Sequence, residues 1–122
     1  MNTQFQNKIY DTIVVGAGIS GLSAAYHLKK FSPKAEFLVL EGRDNFGGTW
    51  DFFKYPGIRS DSDMHTLGFS FKPWNSRKFI ADGPAIMNYL DETIEENNLK
   101  DLIKFNMHIE SASWNSVDSL WE

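Results

Sequence analysis

The sequence predicts an α/β fold built on a parallel sheet. Three observations carry that prediction. A short apolar run, Ile13-Val14-Val15, ends at Gly16; an amphipathic stretch opens at Ile19 or Ser20; and a second apolar run, Phe37 to Leu40, ends at Glu41. Strand, helix and strand then fit within the roughly 30 residues of a βαβ unit, whose crossover is almost always right-handed.

The first run follows Asp11 and Thr12. Being continuous rather than alternating, it is expected to be buried on both faces. In the helix, Leu22, Ala25, Tyr26 and Leu28 share one face at three-to-four spacing, and Lys29 and Lys30 occupy the last turn, where cations suit the helix dipole. Pro33 ends it. Glu36 to Glu41 forms the second strand.

The next forty residues lack a long period but are dense in aromatics: nine lie between Asp44 and Gly83, namely Phe46, Trp50, Phe52, Phe53, Tyr55, Phe69, Phe71, Trp74 and Phe79. A long irregular stretch in a compact domain is usually functional or disordered, and this aromatic density argues for packing on a ligand or on further protein. Within it, Ser62 to Leu67 predicts a short helix capped by Asp61 or Ser60. Asp82-Gly83-Pro84 starts a longer helix with Pro in its first turn. Ile86, Tyr89, Leu90 and Ile94 are its buried face; Asp91, Glu92, Glu95 and Glu96 its solvated one. Ile103, Phe105, Met107 and Ile109 alternate with polar residues as in a half-buried strand, and Ala112–Trp114 with Leu120–Trp121 reads as a hairpin around Asn115 to Asp118.

Composition sets limits. The 122 residues, 42% hydrophobic and 23% charged, suit one globular domain. A chain this size buries about 65% of its unfolded surface, enough for one modest core. The net charge of −4 argues against a nucleic-acid or anionic-membrane partner. The absence of cysteine removes disulfides, thiol catalysis and the usual zinc sites. No apolar run approaches the roughly 18 residues of a membrane span, and Met1 to Thr12 lacks the apolar stretch of a secretory signal, so the cytoplasm is the expected compartment.

Gly16-Ala17-Gly18-Ile19-Ser20-Gly21 is a GxGxxG sequence between strand and helix, the context that gives the pattern its meaning. Gly16 allows the tight turn, Gly18 lets the backbone approach a pyrophosphate, and Gly21 lets the helix pack on the strand. The backbone N–H groups around Ala17, Ile19 and Ser20 are expected to face the two phosphates without help from a side-chain cation. Glu41 lies twenty positions beyond Gly21, where a carboxylate accepts bonds from the adenosine ribose and repels a 2′-phosphate. The ligand expected at this turn is therefore FAD or NAD. Gly47 and Gly48 allow a second close backbone approach, followed by Thr49 as a polar contact and Trp50 as an aromatic wall. An aromatic-rich segment in place of another helix suits a larger cofactor with a flat apolar ring.

GxGxxG, Glu41, Gly47-Gly48-Thr49-Trp50 and Tyr55-Pro56-Gly57-Ile58-Arg59-Ser60-Asp61 together resemble the class B flavin-dependent monooxygenases, which include the flavin-containing and Baeyer–Villiger monooxygenases. The resemblance runs from Tyr10 through the final hairpin, and Tyr-Pro-Gly leans toward the Baeyer–Villiger side. It implies a Rossmann-like FAD-binding βαβ domain carrying a β-hairpin or meander insertion. It also implies that Gly16, Gly18 and Gly21 hold the FAD pyrophosphate, Glu41 the ribose, and Gly48, Thr49 and Trp50 the cofactor's flank. Arg43 would lie along the adenine, and Asp61 would approach the flavin and nicotinamide. Leu67 stands where many Baeyer–Villiger relatives have tyrosine. The implied activity uses FAD, with NADPH as co-substrate, to move one oxygen atom of O2 into a ketone, amine or sulfide through a C4a-(hydro)peroxyflavin.

The second glycine turn for NADPH and the FxGxxxHxxxW fingerprint of full members do not occur in this sequence. Together with the arrest at Trp121 in mid-strand, this makes the expectation for residues 1–122 an N-terminal FAD-binding domain, truncated, without its NADPH domain. Two other readings stay open: an inactive FAD-binding module, and an FAD- or NAD-linked dehydrogenase with the same start. His27 is expected on an exposed helix face, and neither His65 nor His108 has a partner cluster suggesting catalysis or a metal. Substrate identity and oligomeric state are not written in the sequence.

Overall fold

A computed structural model describes residues 8–122; the beginning of the polar leader, residues 1–7, lies outside the described residues. Strand β1 (Thr12–Val15), helix α1 (Ile19–Phe31) and strand β2 (Phe37–Leu40) form the predicted unit. β1 and β2 run parallel in register, Thr12 beside Phe37 through Val15 beside Leu40. Two one-turn helices follow, α2 (Thr49–Phe52) and α3 (Met64–Leu67), then α4 (Gly83–Glu96). β3 (Ile103–Lys104) joins the sheet parallel to β2, giving the order β1-β2-β3. β4 (Trp114–Asn115) and β5 (Leu120–Trp121) make a separate antiparallel pair, the predicted hairpin.

The core lies between the sheet and the two long helices. Leu22 and Ala25 of α1, Phe37 and Val39 of β2, Ile86, Tyr89, Leu90 and Ile94 of α4, with Leu99 and Ile103, make one buried cluster. Each fully buried aliphatic side chain there contributes about 1.5–3 kcal/mol relative to exposure. The buried face of α4 is the one its spacing predicts. Lys29, expected to serve the end of its own helix, instead donates to the carbonyls of Asn97 (3.0 Å) and Asn98 (2.8 Å) at the end of α4. That helix carries no cation in its own last turn, so the lysine supplies the missing positive charge across the helix pair.

Three expectations are corrected. β1 is not buried on both faces: Val14 faces the core beside Val39, but Ile13 and Val15 are 42% and 65% exposed. Its apolar run reads like that of β2, yet among the described residues it has a neighbour on one side only. The short helix is capped by Asp63, not Asp61 or Ser60; the Asp63 carboxylate accepts from Thr66 N–H and Thr66 Oγ1, both at 3.0 Å. The strand read through Ile109 pairs only over Ile103–Lys104. Asn106, with φ +57°, turns the chain out of the ladder. Phe105, Met107 and Ile109 remain half-buried and alternate with exposed neighbours, so the period survives without the pairing.

The aromatic segment divides. Phe69, Phe71 and Trp74 close over the helices, with Phe71 stacked on Tyr26 at 3.5 Å between centroids and Phe69 at 5.6 Å from Tyr89. Phe69 N–H donates to the Tyr89 hydroxyl at 2.8 Å, and that hydroxyl donates to Lys72 O. Phe52, Phe53, Tyr55 and Phe79 stay exposed.

Candidate dinucleotide-binding site

The first glycine turn is built by the end of β1 and the start of α1. Gly16 adopts φ +99° and donates its N–H to Leu40 O at 2.8 Å, locking the turn to β2. A Cβ at Gly21 would fall 2.9 Å from the Gly16 carbonyl carbon, so only glycine lets the helix lie this close to the turn. Gly18 differs. Its φ of −78° suits any residue, and a Cβ there would meet nothing nearer than Gly48 Cα at 3.7 Å. The fold does not demand glycine at this position.

Gly18 is also the N-cap of α1, with no side-chain cap and no acid in the first turn. The first helical bond is Leu22 N–H to Gly18 O at 3.0 Å. The N–H groups of Gly18, Ile19, Ser20 and Gly21 have no acceptor among the described residues. Such an end holds about half a positive charge and suits an anion. Ala17 is a correction: its N–H donates to Glu41 Oε1 at 2.8 Å and is not free for a phosphate.

Glu41, only 8% exposed, sits at the end of β2. Its second oxygen accepts from Arg43 N–H at 2.9 Å. The carboxylate thus ties the phosphate turn to the turn after β2, and each oxygen retains lone-pair capacity for a further donor such as a sugar hydroxyl. The Arg43 side chain leaves this backbone anchor to pair with Asp51, Nη2 to Oδ2 at 3.0 Å, with its guanidinium carbon 5.2 Å from the Phe52 ring centre.

The second glycine turn docks on the first. Gly47 N–H donates to Ala17 O at 2.9 Å, and a Cβ at Gly48 would lie 3.2 Å from Gly18 Cα. Gly47 and Gly48 both have positive φ, +111° and +54°, and Gly47 lies against Met87 of α4, whose Cε would be 2.8 Å from an added Cβ. Gly48 caps α2, leaving Thr49 exposed and Trp50 half-buried against the core. Gly16 to Gly21, Glu41, Arg43 and Gly47 to Trp50 are therefore brought together. Asp61 stands apart from these contacts: it is exposed, just past buried Ser60, in a stretch pinned to the start of α4 by Ser60 N–H to Ala81 O and Gly83 N–H to Ile58 O.

Sequence reasoning passed over Asp51, a carboxylate 4% exposed that accepts from Asn45 Nδ2 at 2.9 Å besides Arg43. The available signal was an acid inside the aromatic run Trp50-Asp51-Phe52-Phe53, eight residues after an arginine. Arg43, Asp44, Asn45, Asp51, Phe52 and Lys54 line an open pocket of about 500 Å³ beside the turns. Ionisation is visibly shifted elsewhere: burial pushes the Tyr89 phenol up, and although burial opposes it, bonding to Glu96 and Glu92 holds the Lys72 ammonium above the usual lysine range. No helix among the described residues is long and apolar enough to cross a membrane.

The chain is similar in sequence and in fold to known proteins. The chain is 54% identical over 112 residues to the FAD-containing monooxygenase EthA of Mycolicibacterium smegmatis, covering 92% of this chain and 23% of that protein. It is 52% identical to the probable FAD-binding monooxygenase AlmA of an Acinetobacter species, again covering 93% and 23%. It thus spans about a quarter of the length of these curated relatives. Among solved structures, an oxidized steroid monooxygenase bound to NADP superposes with a TM-score of 0.84 at 32% identity, covering 92% of this chain and 22% of that one. A closed cyclohexanone monooxygenase superposes with 0.82 at 28%, covering 92% and 22%. Residues 14–93, from β1 almost to the end of α4, match the NAD(P)-binding Rossmann-like domain, and the chain belongs to that family.

Proposed function

We propose that this chain is the FAD-binding portion of an NADPH-dependent flavoprotein monooxygenase, inserting one oxygen atom from O2 into a ketone, amine or sulfide. The observation that carries the reading is the pair of glycine turns. Among the described residues, Gly18 and Gly48 face each other with open space before Gly18, beside four N–H groups without acceptors and the ribose-type acid Glu41. A diphosphate fits that charge and a dinucleotide fits that length. The kinship with proteins named as FAD-containing monooxygenases supports FAD over NAD.

The residues then divide their work. The N–H groups of Gly18 to Gly21 hold the diphosphate, Glu41 accepts from the ribose, and Thr49 and Trp50 flank the chain beyond it. Glu41 already accepts two backbone bonds, so it is rigid before the ligand arrives, and a 2′-phosphate beside it is repelled. NADPH is accordingly assigned to a different site. Asp61 is assigned to the approach of the flavin and nicotinamide rings. Bound FAD supplies the redox chemistry; the protein supplies orientation and exclusion of water.

The test uses the full polypeptide. Purified protein should be yellow and should take up oxygen when NADPH is added. Gly18→Val, which puts a branched side chain where the diphosphate passes, should emerge colourless yet folded by circular dichroism. A colourless wild type that binds NAD would replace this reading with a dehydrogenase, and a Gly18→Val variant retaining full flavin would displace the phosphate site.

A further inference from the structure

Arg43 is held from three sides. Its backbone N–H is fixed by Glu41, its Nη2 by Asp51, and its guanidinium face by Phe52. One atom is left over. Nη1 is buried and has no hydrogen-bond partner among the described residues. A buried guanidinium donor without an acceptor is unfavourable, and native structures keep such groups where something else completes them. Arg43 lines a pocket of about 500 Å³, and its backbone N–H is bonded to Glu41, the residue assigned above to the ribose.

Asp51 is equally unusual. It is nearly fully buried, yet it lies on a four-residue helix in a loop segment. Its acceptors are used by Arg43 at 3.0 Å, Asn45 at 2.9 Å and Lys54 at 3.5 Å. Burying a carboxylate is costly unless partners compensate it. A plain surface loop has no need of one.

We propose that Asp51 is a positioning residue: it locks the Arg43 guanidinium so that buried Nη1 is preset to donate to an acceptor on the adenosine moiety of the cofactor. This rests on the FAD reading. Arg43 alone would sample many rotamers, and fixing a long side chain in advance removes that ordering cost from binding. Asp51 touches no ligand in this scheme and acts only through Arg43.

The test is FAD binding to full-length apoprotein, followed by flavin fluorescence, with ADP as a competing probe and the thermal midpoint of the ligand-free protein recorded in parallel. Asp51→Asn should weaken FAD and ADP by the same factor, about tenfold, or ~1.4 kcal/mol. Arg43→Met should do likewise, and the double variant should lose no more than either single one, because both remove one interaction. Arg43→Lys, which keeps the charge without Nη1, should not restore affinity. If Asp51→Asn does not fold, Asp51→Glu carries the same test by moving the carboxylate one methylene. Losses that multiply in the double variant, or wild-type affinity in the Asp51 variant, would overturn the proposal and leave the FAD reading standing. Wild-type apoprotein that binds neither FAD nor ADP would remove that reading and this proposal with it.

Discussion

Helices α1 and α4 lie side by side, 13 and 14 residues long, and they begin in opposite ways. α4 starts closed. Asp82 caps it, accepting from Ala85 N–H at 2.9 Å, and Pro84 in the first turn has no N–H to satisfy. α1 starts open, on Gly18, with no cap, no proline and no acid. Both helices bury an apolar stripe in the same core, so packing does not explain the difference. A helix that only has to be stable closes its N-terminus. One that must hold an anion leaves those donors free and accepts lower stability for it.

Closing α1 is the strongest way to break this contrast. Gly18→Asp puts a capping carboxylate on a residue whose backbone already has the extended N-cap conformation and whose surroundings admit a Cβ. Without ligand, the variant should gain from a few tenths to about 1 kcal/mol in urea unfolding. With ligand, a carboxylate about 4 Å from a diphosphate costs on the order of 4 kcal/mol at an effective dielectric of 20, so flavin retention should vanish. Retained flavin would mean that α1 is open for some other reason.

Gly21→Ala separates fold from ligand on the same turn. Its Cβ has no room against Gly16, so the helix must move off the strand at a cost of about 3 kcal/mol, read as a lower urea midpoint with no ligand present. A stability loss here beside a flavin loss at Gly18 would assign one glycine to packing and the other to the ligand. The mirror experiment on α4 is milder. Asp82→Ala removes its cap and should cost about 1 kcal/mol without altering flavin content.

Legibility followed how local each cause was. The parallel pair β1 and β2, the start and buried face of α4, and the meeting of Gly16–Gly21 with Glu41 depend on spacing within a few tens of residues, and the sequence carries them. The failures are tertiary. Ile13 and Val15 have the composition of a buried strand, but their environment is set by what lies on the open side of β1. The docking of Gly47 on Ala17 O, and the division of the aromatics at Phe69, depend on where α2 and α4 meet. Asp51 was missed because an acid in a loop ordinarily signals solvent; burial by Arg43 and Asn45 is visible only in three dimensions. Ala17 failed by one bond, since nothing in GxGxxG says that its N–H faces the acid rather than the phosphate.

The smallest effect concerns α3, which shows the closed design in miniature. Its cap Asp63 is half-buried, and bonding to the Thr66 hydroxyl and N–H holds its carboxyl below the ordinary aspartate value of 3.8. A group whose folded value is depressed contributes stability above its unfolded value and loses it as pH falls through the folded one. Asp63→Asn keeps an acceptor for Thr66 N–H but removes the titration. The stability difference between wild type and variant should therefore be flat above about pH 4 and should shrink below it, read by urea unfolding at successive pH values. A difference that stayed flat to pH 2 would show that the cap acts through geometry alone. The hydrogen bonds from Thr66 to the Asp63 carboxylate would then teach nothing about the charge preference of the open end of α1, and the contrast would rest on α4 and Gly18.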